Sequence, residues 1–119
     1  MSWARLSPAE REKLSCAMKM DFGRPVTAYL TNAMFVAGCC IGRVHHHVQG
    51  DVMGRFQDGH RIRTSDVMRA NQCGDYWLLR TRSGSLYVVL TFGDGGRASL
   101  DQHLELRRRG MHVTPGRLQ

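Results

Sequence analysis

The sequence predicts an α+β fold: a small, twisted antiparallel sheet of about four or five strands, flanked by an N-terminal and a C-terminal helix. Three observations predict it. Ser7-Pro8-Ala9-Glu10 reads as a helix start, "YWLLRTRSGSLYVVLTF" at 76–92 reads as a β-hairpin, and Ser99-Leu100-Asp101-Gln102 opens a second helical stretch. A chain of 119 residues fits one domain spanning 1–119, because two halves would each fall near the size at which cores become marginal.

The first helix is expected over about 8–22. Ser7 can cap it, Pro8 suits the first helical position, and Glu10 stands where a capping-box acid belongs. Leu14, Ala17, Met18 and Phe22 recur at helical spacing as its apolar side, opposite Arg11, Glu12, Lys13 and Lys19. Gly23 and Pro25 end it.

From 26 to 92 the chain is β-rich. Strands are expected near Val26–Leu30, along a longer, bent Met34–His46 with bulges at its glycines, and over Arg61–Met68. The intervening 49–60 forms a loop ending in the Asp58-Gly59 turn. In 76–92, Ser83-Gly84 as a two-residue turn pairs Arg80 with Tyr87 and Leu78 with Val89, leaving Trp77, Leu79, Leu86 and Val88 for the core. Phe35, Leu14 and Leu104 are expected to join them. The second helix, capped by Ser99, runs over about 99–109, and a tail follows at 110–119. Thirteen glycines against three prolines favour such short strands and tight turns.

Seventeen Lys plus Arg against ten Asp plus Glu give a net charge of +7, and Lys13 and Lys19 are the only lysines. Guanidinium groups make planar, bidentate contacts with phosphates and carboxylates, so the partner expected is nucleic acid, a nucleoprotein or an acidic protein surface. An acidic mimic of nucleic acid is excluded by the sign of the charge. The most apolar run, "AMFVAGCCIG" at 33–42, is too short to span a bilayer, and the charged N-terminal stretch reads as helix rather than signal peptide. A cytosolic location without membrane association is therefore expected, with Cys16, Cys39, Cys40 and Cys73 as reduced thiols. If the adjacent Cys39 and Cys40 lie on a strand, at most one is readily buried.

Chemistry-bearing motifs are sparse. His45-His46-His47 downstream of Cys39 and Cys40 offers zinc-type ligands, but successive strand residues cannot all face one ion. Histidines mostly open to solvent are the expectation there. No nucleophile motif surrounds a cysteine, and "GDGG" at 93–96 forms a turn rather than a P-loop. The chain is accordingly expected to be no enzyme and to need no cofactor or metal. The expected binding residues are arginines beside an exposed aromatic: Arg80, Arg82 and Tyr87 on the hairpin's outer side, Arg61 and Arg63 on the preceding strand, extended by Arg55 and Arg69.

The segments "GRFQDGHRIRTSDV" at 54–67 and "LRTRSGSLYVVL" at 79–90 resemble a double-turn pattern of small phage and prophage accessory proteins, and "IGRVHHH" resembles the strand leading into that unit. The resemblance covers about 26 residues and carries over no catalytic residue. It implies a mobile-element protein that binds host machinery. The function expected is inhibition of a host nucleoprotein defence complex, such as a CRISPR effector, in the manner of an anti-CRISPR protein. The alternative is a nucleic-acid-binding accessory or regulatory protein using the same arginines.

Overall fold

Two antiparallel meanders meet at a parallel seam. The computed structural model describes residues 6–47 and 59–110. The first meander comprises β1 (Ala28–Val36), β2 (Cys39–His45) and β3 (Arg61–Arg63). The second comprises β4 (Val67–Cys73), β5 (Tyr76–Thr81) and β6 (Leu86–Val89). Parallel pairing of β1 with β6 joins them into a mixed six-stranded sheet of order β3-β2-β1-β6-β5-β4. Helices α1 (Pro8–Met18) and α2 (Gly96–Arg108) bracket the strands in sequence. The α+β class is as the sequence predicts, and six strands are close to the four or five expected; the parallel seam is not expected.

The shifted strand boundaries and the one additional strand come from turns with unexpected residues. Val36 pairs with Cys39, so Ala37 (φ 51) and Gly38 (φ 85) form a two-residue hairpin turn inside the stretch expected to be one bent strand. Both φ angles are positive, as a type I′ turn requires. Likewise the expected strand 61–68 is two. At Thr64 the chain leaves β3: its Oγ1 accepts from Cys40 N at 3.0 Å and donates to Ser65 O at 2.7 Å. Gly74 (φ 61) then turns β4 into β5.

The β5–β6 hairpin differs from expectation by one residue. Thr81 N donates to Ser85 O at 3.1 Å and Gly84 N to Thr81 O at 2.9 Å, so the loop holds three residues, 82–84, with Gly84 at φ 89. This is the three-residue loop with a left-handed glycine in third place. Leu79 therefore pairs with Tyr87, and Arg80 with Leu86. A slip of one residue exchanges the two faces.

Both faces are covered. On one side Leu100 and Leu104 of α2 pack on Leu30, Phe35, Val44, Leu79, Tyr87 and Val89. On the other, Leu14 and Ala17 of α1 pack with Tyr76, Val88 and Leu90. Alternate residues of β6 thus enter different cores, and all four of its residues are buried. Leu79, Leu86, Val88, Phe35 and Leu14 are buried as expected, while Trp77 and Leu104 are partly buried at the edge of the α2 core.

Each helix is fastened to the meander on the far side of the seam in sequence. α1 begins with the expected capping box, in which Glu10 N donates to Ser7 Oγ at 3.1 Å and Ser7 N to Glu10 Oε1 at 2.9 Å. It stops at Met18, four residues short of Phe22, and Met18 is 49% exposed rather than on the packed side. Lys13, expected on the wet face, instead donates from Nζ to Leu90 O at 2.7 Å. The Tyr76 hydroxyl donates to Lys13 O at 3.2 Å.

Helix α2 starts at Gly96, three residues before the expected start, because the chain must approach β1 closely. A Cβ on Gly96 would stand 2.1 Å from Ala33 O. Ser99 is no cap: its Oγ donates to Gly96 O at 2.6 Å and accepts from Phe35 N at 2.8 Å, tying helix to strand.

Candidate anion-binding site

The one-residue shift in the β5–β6 hairpin decides where the arginines go. Arg80, opposite Leu86, lies on the α1 face with Leu78 and Val88. Across the other ladder of β5, Arg69 is the Cα partner of Arg80 and Asn71 that of Leu78. The loop after α1 brings Phe22, Gly23 and Arg24 over the same area. Together these residues and Leu86 line a cleft of about 170 Å³. Its rim is cationic, with Arg24 and Arg69 exposed and Arg80 half-buried. Its floor is apolar: Leu86 is buried, and Phe22 and Leu78 are half-buried.

Among the described residues, no carboxylate lines this cleft. Among the described residues none of Arg24, Arg69 and Arg80 forms an ion pair, whereas Arg82, Arg97, Arg108 and Arg109 each do. Like charges directly opposite on neighbouring strands repel. The arrangement therefore carries a local electrostatic cost that a bound anion would relieve.

The residues expected to form one patch are dispersed. Arg61 and Arg63 are exposed on β3, the outer strand of the first meander. Three strands lie between β3 and β5, which at strand spacing is roughly 19 Å. Arg82 sits in the hairpin loop, where its Nη2 lies 3.1 Å from Asp66 Oδ2 and its backbone N donates to Asp66 O at 2.8 Å. Its charge is largely answered within the fold. Tyr87, expected exposed beside Arg80, is only 7% exposed and packs in the α2 core opposite Leu79. Burial raises its phenol pKa. Arg55 and Asp58 lie outside the described residues, and Gly59 has the positive φ of 87 that a turn there needs.

Arg24 was not anticipated, since a lone arginine beside Gly23 and Pro25 gives no signal before α1 is placed on the sheet. Arg69 belongs to the expected group, but it joins Arg80 rather than Arg61 because Thr64-Ser65-Asp66 divides the two strands.

Arg61 instead lines a second cavity of about 360 Å³ with Asn32, Arg43 and Asp94. Asp94 makes its field mixed in sign. Arg43 there donates from Nη1 to Gly59 O at 3.1 Å.

The histidine run is mostly internal, contrary to the expected solvent exposure. His45 is 2% exposed with Nε2 2.9 Å from Thr31 Oγ1, and His47 is 8% exposed, 6.4 Å from the Tyr87 ring. His46 is exposed at φ 53. Among the described residues no group of three His, Cys, Asp or Glu side chains is placed to hold a metal ion.

Cys39 and Cys40 are both buried, since the hairpin end folds under Thr64 and Asp66. Cys39 Sγ lies 3.7 Å from Asp66 Oδ1. Burial pushes the Cys40 thiol up to about 12, where it is un-ionised and unreactive near neutrality.

Among the described residues no helix is long and apolar enough to cross a membrane. The chain matches no family model, and no curated protein or solved structure is similar to it.

Proposed function

We propose that this chain is a non-enzymatic binding protein of phage type that inhibits a host nucleoprotein defence complex, such as a CRISPR effector, by occupying an anionic surface on it. The observation that carries this reading is the cleft lined by Arg24, Arg69 and Arg80, three arginines from three segments with no acid among the described residues that line it. A net charge of +7 adds long-range attraction toward such a surface. The resemblance to phage accessory proteins supplies the biological setting.

The same cleft favours a second reading, direct nucleic-acid binding. A cationic rim above apolar side chains suits a phosphate with a planar base beside it.

Affinity capture with tagged protein from a bacterial lysate carrying CRISPR effectors, with and without nuclease, separates the two. An identified effector complex retained after nuclease, whose cleavage activity the purified chain inhibits, is the expected result. Loss of all partners after nuclease, with affinity for free nucleic acid that falls steeply with salt, selects the second reading. Arg69→Glu with Arg80→Glu should abolish capture while leaving thermal stability near wild type. Unchanged capture by that variant removes the cleft from the function.

A further inference from the structure

We infer that the cleft between α1 and the β4–β5 ladder is a pocket for one phosphate group of a nucleotide, with the esterified nucleoside lying along the Phe22–Leu78–Leu86 floor. The inference rests on the binding function proposed above and names the chemistry of the group bound.

The number of cations argues for phosphate over carboxylate. A carboxylate presents two oxygens, which a single guanidinium fork satisfies. A phosphate monoester presents three terminal oxygens and about −1.5 to −2 charges at neutral pH, enough to engage guanidinium groups arriving from several directions. Here Arg69 and Arg80 approach from adjacent strands and Arg24 from the loop after α1. Asn71, on the same ladder, adds an amide group.

Size argues for one phosphate rather than a run of them. The cleft holds about 170 Å³. That admits one phosphate and the near end of its ester substituent, while the rest of the substituent extends over the open side. The apolar floor indicates what that substituent is. Phe22 contacts Tyr76 edge-on, with ring centroids 6.2 Å apart and planes at 83°, which holds the Phe22 ring in a fixed attitude at the cleft. A planar base gains from such a surface, whereas a bare anion does not.

Arg61, Arg63 and Arg82 lack this combination. Arg82 is committed to Asp66, and Arg61 shares its cavity with Asp94.

The test is titration of the full chain with inorganic phosphate, adenosine monophosphate and acetate, followed by calorimetry and by amide NMR shifts. Adenosine monophosphate should bind most tightly and inorganic phosphate more weakly, with no saturable binding of acetate. Arg69→Gln and Arg80→Gln should each weaken nucleotide binding on the order of ten-fold or more, the scale of a lost hydrogen bond to a charged group. Arg24→Gln, in a loop outside the sheet, should do the same without touching strand pairing. Acetate binding as tightly as phosphate, or unchanged binding in Arg24→Gln and Arg80→Gln, overturns the pocket.

Oligonucleotides with a 5′-phosphate or a 5′-hydroxyl distinguish a chain end from a free nucleotide as source. Preference for the phosphorylated end assigns the pocket to a nucleic-acid terminus; equal affinity, with mononucleotide bound more tightly than either, assigns it to free nucleotide. Phosphate binding without capture of any effector would leave the pocket standing and remove the inhibitor reading. Capture without phosphate binding would do the reverse.

Discussion

Arg80 and Arg82, two residues apart, have opposite situations, and the difference lies in the loop between strands. Arg80 lines a cleft with no acid among its described residues; Arg82 is held by Asp66 in the loop itself. Residue type and alternation place both on one face only if the loop has two residues. The third, with Gly84 in the left-handed region, moves Tyr87 into the core. Tyr87 was the residue least legible in the sequence, because tyrosine suits either side of a half-buried strand.

Ala37 carries a comparable lesson. Non-glycine residues avoid positive φ at a cost of roughly 1–2 kcal/mol, so Ala37-Gly38 gave little sign of a turn. Asparagine tolerates that region and Asn-Gly is a preferred type I′ pair. Ala37→Asn is therefore expected to stabilise the protein by up to about 1 kcal/mol, read as a higher urea midpoint at unchanged slope.

At the level of elements, the capping box of α1 was fully legible, since it is written in four consecutive residues and needs no tertiary partner. The start of α2 was not, because Ser99 offers a local cap that tertiary contact overrides: its hydroxyl is engaged by Phe35 and Gly96. The close approach of Gly96 to Ala33 makes a definite demand. Gly96→Ala places a methyl where backbone already stands, and should lower stability by about 3 kcal/mol or more, while Ala98→Gly, exposed on the same helix, should cost about 1 kcal/mol or less.

The same helix makes stability depend on pH. Burial holds the His103 pKa below its ordinary value of 6.5; Arg107 acts in the same sense, and the Val67 carbonyl, 3.2 Å from Nε2, against it. The unfolded chain then takes up a proton before the folded one as pH falls. Stability is complete above 6.5 and is lost on descending from there through the lower folded pKa. Buried His47 contributes with the same sign. Chemical denaturation should give a lower midpoint at about pH 5.5 than at about pH 7.5, and His103→Asn should shrink that difference. An equal or higher midpoint at the lower pH would contradict it.

For the whole molecule, hydrophobic alternation predicted one covered face, and the fold has two. The signal was present in "LYVVL" at 86–90, a continuous apolar run of the kind that marks a strand buried on both sides. Locally it reads as one half of an ordinary hairpin, because the strand it pairs with in parallel, β1, lies far away in sequence. The α+β class and most core residues were legible; the joining of the meanders and the grouping of Arg24 with Arg69 and Arg80 were not, since both depend on long-range packing.

That joining also governs how the chain reaches its fold. The turns at Ala37-Gly38, at Gly74 and at 82–84 close locally, but the seam links Leu86 N to Thr27 Oγ1 across 59 positions, and neither sheet half alone completes the packing of the helix it precedes or follows. Closing so long a loop is paid in entropy before the ladder forms, so seam formation should limit the refolding rate. Leu30→Ala, within the seam, should slow refolding nearly in proportion to the stability it removes, whereas Ala70→Gly on β4 should act mainly by hastening unfolding.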